Sequence, residues 1–589
     1  MARADDRVPS TSPNIQWTAH RDNPLLQGRS SHYFINSDLA FSGDYLVQGN
    51  YDGFSVWDIA DPSNPTLTSV VECAGGQGDV SVVGSLVILS VDDTMASDRC
   101  DAARVSETTP HWDGIRIFDI SHPASPQYVA SVQTRCGSHT NTVLPTADPK
   151  RVYVYVDAYS RGVSTTCTGQ NPLDIVEVDL NDPAAAHIAA SVDLFAGREA
   201  FGPNDLVPGG AETRFSTGCH DITVFGNRAA AACRGDGLLL DVSDPLRPTV
   251  LQQVRDPEMS FWHSAIFSND GSLVLFQDEM GDGQVNTCSA ATPATRGTDA
   301  IWSLKNDALS PLGYFKIPRE QPDSKRCTAH NGSIVPVPGR NILVQAWYEG
   351  GVSLVDFTDP AHPTEIGYFE WPPYANRHEY SAGYWSAYFY NGHIYASDMW
   401  GGLDVLTLVG DEFADAARYS AASLNPQTQP AYDWVWKHPP TLSTDTESQL
   451  ALTLSPERIP AQLATPSATD GGERMGPKLS VSSNTNAFEP MDTIDIWFQD
   501  RVLATVRADE GGALTLTEVT LPADLPAGTY TLIARGDHTP DTLATANIVI
   551  EPPPSNSWVG ILLSAAGAVL VAGVGIFWAV RRRRNGVVR

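Results

Sequence analysis

Tyr51-Asp-Gly-Phe-Ser-Val-Trp-Asp-Ile-Ala-Asp-Pro62 decides how this chain folds. A Gly-bearing turn opens it, alternating apolar residues run to an Asp, and a Pro closes the next turn, which together describe a short strand between two tight turns. The phrase returns as Trp112-Asp-Gly-Ile-Arg-Ile-Phe-Asp-Ile-Ser-His-Pro123, as Gly235-Asp-Gly-Leu-Leu-Leu-Asp-Val-Ser-Asp-Pro245 and as Gly350-Gly-Val-Ser-Leu-Val-Asp-Phe-Thr-Asp-Pro360. Degraded copies span Leu173 to Pro183, Thr298 to Pro311 and Gly401 to Leu408. A unit recurring about every 50 to 65 residues marks a repeat architecture. Seven copies predict seven blades.

Each repeat parses into four strands. In the fourth these are Thr217 to Phe225, Arg228 to Cys233, Leu238 to Val242 and Thr249 to Val254, the content of one propeller blade. The seventh repeat lacks a fourth strand, and Asn14-Ile-Gln-Trp-Thr-Ala-His20 has the character to supply it and close the ring. The fold class expected is therefore all-β: a seven-bladed β-propeller over 14–409 with an N-terminal strand completing the last blade. A Pro/Ser/Thr/Ala-rich linker follows over 410–478, then an Ig-like β-sandwich stalk over 479–551.

Trp558 to Val580 carries no charged residue and is long enough, at about 1.5 Å per residue, to cross about 30 Å of hydrocarbon. Arg581 to Arg584 follow directly, so the reading expects a transmembrane helix over 558–580 and a basic cytoplasmic tail over 581–589. It thus expects a single-pass protein of the cell membrane, its propeller and sandwich outside the cytoplasm. The first residues, Met1-Ala-Arg-Ala-Asp-Asp-Arg7, carry no apolar run, so a secretory signal is expected to be missing from the start as given. With Lys and Arg at 38 against Asp and Glu at 69, clustered cations for nucleic acid are not expected.

The repeated Asp-Ile-Ser-Asp-Pro phrase, with Cys219-His-Asp-Ile-Thr-Val224, Trp262-His-Ser-Ala265, Cys327-Thr-Ala-His-Asn-Gly332 and Tyr384-Trp-Ser-Ala387, resembles the LVIVD-repeat proteins. These bacterial surface propellers include some grouped as choice-of-anchor B. The resemblance covers roughly Ser30 to Leu408 and implies a fold and a location, but no reaction and no catalytic residues. The second domain resembles the Ig-like stalk modules of actinobacterial surface proteins.

Aligning the repeats on strand one places His139, His220, His263 and His330 at one position in blades three to six, with Ser37, Gly78 and Trp385 there in the other three. Strand one lines the channel of a propeller, so these imidazoles are expected at its mouth. The ends of strand two, among them Asp92, Asp157, Asp278 and Glu279, should reach the same face. Imidazole with carboxylate suits a divalent metal ion, the one cofactor expected. The same histidines could instead bond turn carbonyls and stack on aromatic rings. The eight cysteines pair on strand geometry as Cys73–Cys100, Cys136–Cys167, Cys219–Cys233 and Cys288–Cys327, which requires an oxidising compartment.

The chain has no Walker loop, dinucleotide fingerprint, His-Glu-x-x-His or Gly-x-Ser-x-Gly. Two readings follow. One is a surface binding module for an extracellular protein or glycan. The other is an extracytoplasmic metalloenzyme with its ion among the four histidines.

Overall fold

The computed structural model describes residues 8–26, 35–159, 171–205, 213–373 and 382–430, less 147, 149, 320 and 338. Further on it describes 449–456, 458–460, 477–483, 488, 493–498, 501–509, 511–521, 525, 527–536 and 543–551. The chain divides into two compact units, 1–436 and 437–589.

The described strands of the first unit form seven four-stranded antiparallel blades, with Ser10–Thr11 added to the outer strand of blade six and Ser423–Leu424 to the inner strand of blade one. Blade four runs Asp221–Phe225, Arg228–Cys233, Asp236–Asp241 and Thr249–Val254 in simple up-and-down order. Its inner strands are buried on both faces by the neighbouring blades, which is why they read as unbroken apolar runs: Ala229 to Ala232 and Leu238 to Leu240 are all fully buried. The outermost strand, facing solvent on one side, alternates. In blade seven, Tyr384–Tyr390, His393–Asp398 and Gly402–Leu408 are completed by Ile15–Asp22, with Ile15 opposite Leu408 and Asp22 opposite Gly402. The N-terminal segment thus becomes the outer strand of the last blade.

The aspartates ending strand three are turn-makers. Oδ1 of Asp58, Asp119, Asp179, Asp241 and Asp356 each accepts from the backbone N–H two residues on, at 2.8–3.0 Å. This is the local bond that an Asx turn supplies and the reason the phrase recurs.

The stretch expected as linker, 410–478, is ordered over its first twenty residues. Ser423–Leu424 pairs with Phe41–Ser42 of blade one. Asn425 then donates to Val82 O and accepts from Val82 N in blade two, and Thr428 Oγ1 donates to Val143 O in blade three. Val224 N donates to Gln427 O, and the Gln429 side chain accepts from Phe267 N at 2.8 Å and donates to Phe267 O at 2.7 Å. Val82, Val143, Val224 and Phe267 sit near or at the far ends of strand one, so this strap crosses the channel at the end away from the histidines. Gln429→Ala would leave a buried N–H and C=O without partners, and a loss of about 1–3 kcal/mol in urea unfolding is expected. An unchanged midpoint would show that the strap does not hold the blades.

The second unit is built of sheets too. Thr493–Phe498 pairs with Arg501–Arg507 and Gly528–Gly536, and Gly528–Gly536 pairs in turn with Leu543–Glu551. Gln449–Ser455 pairs with Leu543–Glu551 and with Lys478–Ser483, and Arg458–Pro460 also joins Leu543–Glu551. The linker reading was therefore too long at both ends: the alternating Leu450-Ala-Leu-Thr-Leu454 was masked by the Pro- and Ser-rich residues around it. A second correction concerns the fold class. The helix expected over 558–580 lies outside the described residues, and no helix among the described residues is long and apolar enough to cross a membrane. The fold is an all-β chain of strand-rich, propeller-type sheets.

Candidate functional site

The alignment on strand one becomes physical proximity. His139, His220, His263 and His330 follow one another around the mouth with ring centroids 4.1, 4.1 and 4.2 Å apart, all buried. They divide into two pairs. Nε2 of His139 and Nε2 of His220 are 2.7 Å apart, close enough to share a proton, while Asp92 takes the other nitrogen of His139 at 2.9 Å. His263 and His330 instead turn toward Glu279. Its carboxylate oxygens lie 3.8 Å from Nε2 of His263 and 3.7 Å from Nε2 of His330.

The tautomer of His330 is fixed by its neighbour. Nδ1 donates to the Trp385 carbonyl, which can only accept, so Nε2 presents a lone pair to Glu279. Burial drives both rings toward the neutral form, His263 well below its usual value and His330 down to about 3. Burial also pushes Glu279 up to about 8, opposed by the Tyr348 hydroxyl that donates to it. The donor atoms of His263, Glu279 and His330 lie within 4.8 Å of one another. A tetrahedral ion with bonds near 2.0–2.1 Å holds its ligand atoms about 3.3 Å apart, so each Glu279 oxygen has to close on its imidazole nitrogen by about half an ångström, and the set as a whole by up to about 1.5 Å, to form a coordination shell.

The other carboxylates expected nearby do different work. Both oxygens of Asp278 are taken, by the backbone N–H groups of Ser260, Phe261 and Gly297, so it pins loops and does not face the histidines. Asp157 is buried between blades three and four, where it interacts with Asp221.

A cavity of about 470 Å³ opens above the histidines. Its wall includes Tyr51, Tyr159, Arg234, Glu279, Tyr348 and Met399, each contributed by a different blade. All of them lie just past the end of strand two. Two adopt left-handed backbone, Arg234 at φ 67° and Tyr348 at φ 48°, a conformation that L side chains rarely take. The Arg234 guanidinium lies 4.7 Å over the Tyr159 ring, and Tyr159 stacks on His220 at 5.4 Å. Of these wall residues only Glu279 was singled out in the sequence. The usable signal was the position after strand two, read across all blades.

Disulfides pin the loops on this side. Cys73–Cys100, Cys219–Cys233 and Cys288–Cys327 are formed. Cys136 is disulfide-bonded as well, and its expected partner Cys167 lies outside the described residues.

The LVIVD repeat family model matches residues 36–72 and 111–134. The chain carries LVIVD repeats. No curated protein matches it. Among solved structures it is similar to BamB from Moraxella catarrhalis at 13% identity and TM-score 0.32, covering 62% of this chain and 80% of that one. It is also similar to a functionally unknown protein from Desulfotomaculum acetoxidans, at 11% identity and TM-score 0.33, covering 59% and 86%. A Lactobacillus plantarum protein gives 13% identity and TM-score 0.36, covering 64% and 96%. The propeller-type reading of this LVIVD-repeat chain rests on its own strand pairing.

Proposed function

We propose that this LVIVD-repeat propeller is an extracytoplasmic binding module that holds a divalent ion of the zinc class on His263, Glu279 and His330, and that the ion and the wall above it grip a small ligand. The observation that carries the reading is the convergence of two neutral imidazoles and one carboxylate within 4.8 Å at the floor of a cavity. Imidazole and carboxylate are the donors such ions take, and the Trp385 carbonyl orients His330 as an outer partner does in metal sites. The disulfides support an oxidising compartment.

Elemental analysis of the purified protein after dialysis against zinc tests this. One equivalent per chain is expected, and His263→Ala and His330→Ala should each weaken binding more than about tenfold. Zinc content that ignores both substitutions would sink the reading.

A further inference from the structure

We infer that the channel beneath the histidines holds a second, hard cation, calcium, on oxygen ligands from Asp38, Asp79, Asn141 and Asn331. In blades one, two, four and six the residue following the histidine position in strand one is Asp38, Asp79, Asp221 and Asn331. Asn141 in blade three lies beside them, and all five are buried. The ring geometry brings these side chains across the channel to one another. Asn331 Nδ2 donates to Asp38 Oδ2 at 2.9 Å, and Tyr388 from blade seven donates to Asp38 Oδ1 at 2.6 Å. Asn141 donates to Asp79 Oδ2 from both its backbone N–H and its side-chain Nδ2, at 3.0 and 3.2 Å.

Two features point to a cation. First, the groups around Asp38 and Asp79 are neutral donors and further carboxylates. Burial and the neighbouring Asp38 carboxyl hold Asp79 well above the usual carboxylate range. Carboxylates taken out of water without a counter-charge are strongly destabilising. Second, Asn141 Oδ1 and Asn331 Oδ1 are buried and lack a donor. In each amide the nitrogen is bonded to a carboxylate of the cluster, so the unpartnered oxygen at the other end of that short planar group stays at the cluster's edge. Protons on the aspartates would neutralise the charge but leave these amide oxygens unpaired. A cation satisfies both.

Carboxylate and amide oxygens without nitrogen or sulfur favour a hard ion, and calcium accepts six to eight such ligands in adaptable geometry where magnesium demands a strict octahedron. The inference does not rest on the zinc reading, because the donor atoms and their chemistry differ.

The test uses the full chain, equilibrated with about 1 mM calcium, the range in which extracellular modules bind it. One equivalent of calcium should be retained, EGTA should lower the melting temperature, and calcium but not zinc should restore it. Terbium, which takes the same oxygen ligands, should luminesce on excitation of tyrosine, with Tyr388 as the adjacent sensitiser. Asp38→Asn with Asp79→Asn should abolish calcium and terbium binding and leave zinc bound at the mouth. Should that variant fail to fold, the EGTA titration of the unaltered protein decides. No retained calcium and a melting temperature indifferent to EGTA would overturn the inference. Asp79→Asn raising stability would do the same, since that is the signature of a carboxyl kept protonated.

Discussion

Gly402→Ala is expected to open the propeller at its seam. Gly402 sits at φ +125°, and a Cβ there would stand 2.0 Å from Arg21 O and 2.6 Å from Asn23 N. Both are backbone atoms at the end of the N-terminal strand, so no side-chain rotation relieves the contact. The chain must move, and what moves is the strand that completes blade seven. Gly53 occupies the same place in blade one, where a Cβ would meet Val71 O at 2.1 Å, but there the displaced strand is covalently continuous with its own blade.

A substitution at Gly402 is therefore expected to cost more than about 3 kcal/mol in urea unfolding, at the high end for single substitutions. It should also expose the first twenty residues to protease. Gly43→Ala is the control: Gly43 also has positive φ, at 55°, but nothing lies within 4 Å, so only the backbone cost of about 1–2 kcal/mol applies. If Gly402→Ala behaves like Gly43→Ala, the N-terminal strand does not close the ring.

Removal of disulfides should have the next largest effect. Cys219–Cys233 and Cys288–Cys327 close loops of 14 and 39 residues, and replacing either pair by Ala should lower stability by about 3–4 kcal/mol on the chain-entropy estimate. The longer loop should give the larger loss. The two pairs also touch the site: Cys219 precedes His220 directly, and Cys327 lies three residues before His330. Loss of Cys288–Cys327 is thus expected to weaken zinc binding, whereas loss of Cys73–Cys100, pinned elsewhere by Arg116, should leave it unchanged. Equal effects of the two on metal affinity would show that the bridges stabilise the protein without positioning His330.

What could be read from the sequence follows from which physics leaves a local trace. The LVIVD resemblance was legible because Asp58, Asp119 and Asp241 make their turns with bonds two residues away, so the phrase carries its own structure. The histidines could be aligned because strand one has fixed periodicity. Tyr348 and Arg234 escaped notice because their direction is set by left-handed turns, at φ 48° and 67°, which no alternation of residues announces. The strap was illegible for a related reason. Asn425, Gln427 and Gln429 are polar residues in a polar stretch, and they bond to strand ends some 160 to 345 residues away in sequence.

That strap laces together the far ends of strand one in five successive blades with a single run of seven residues, Ser423 to Gln429. Peeling it away would release five blades at once, so residues from beyond the last blade act as a clasp for the ring that precedes them.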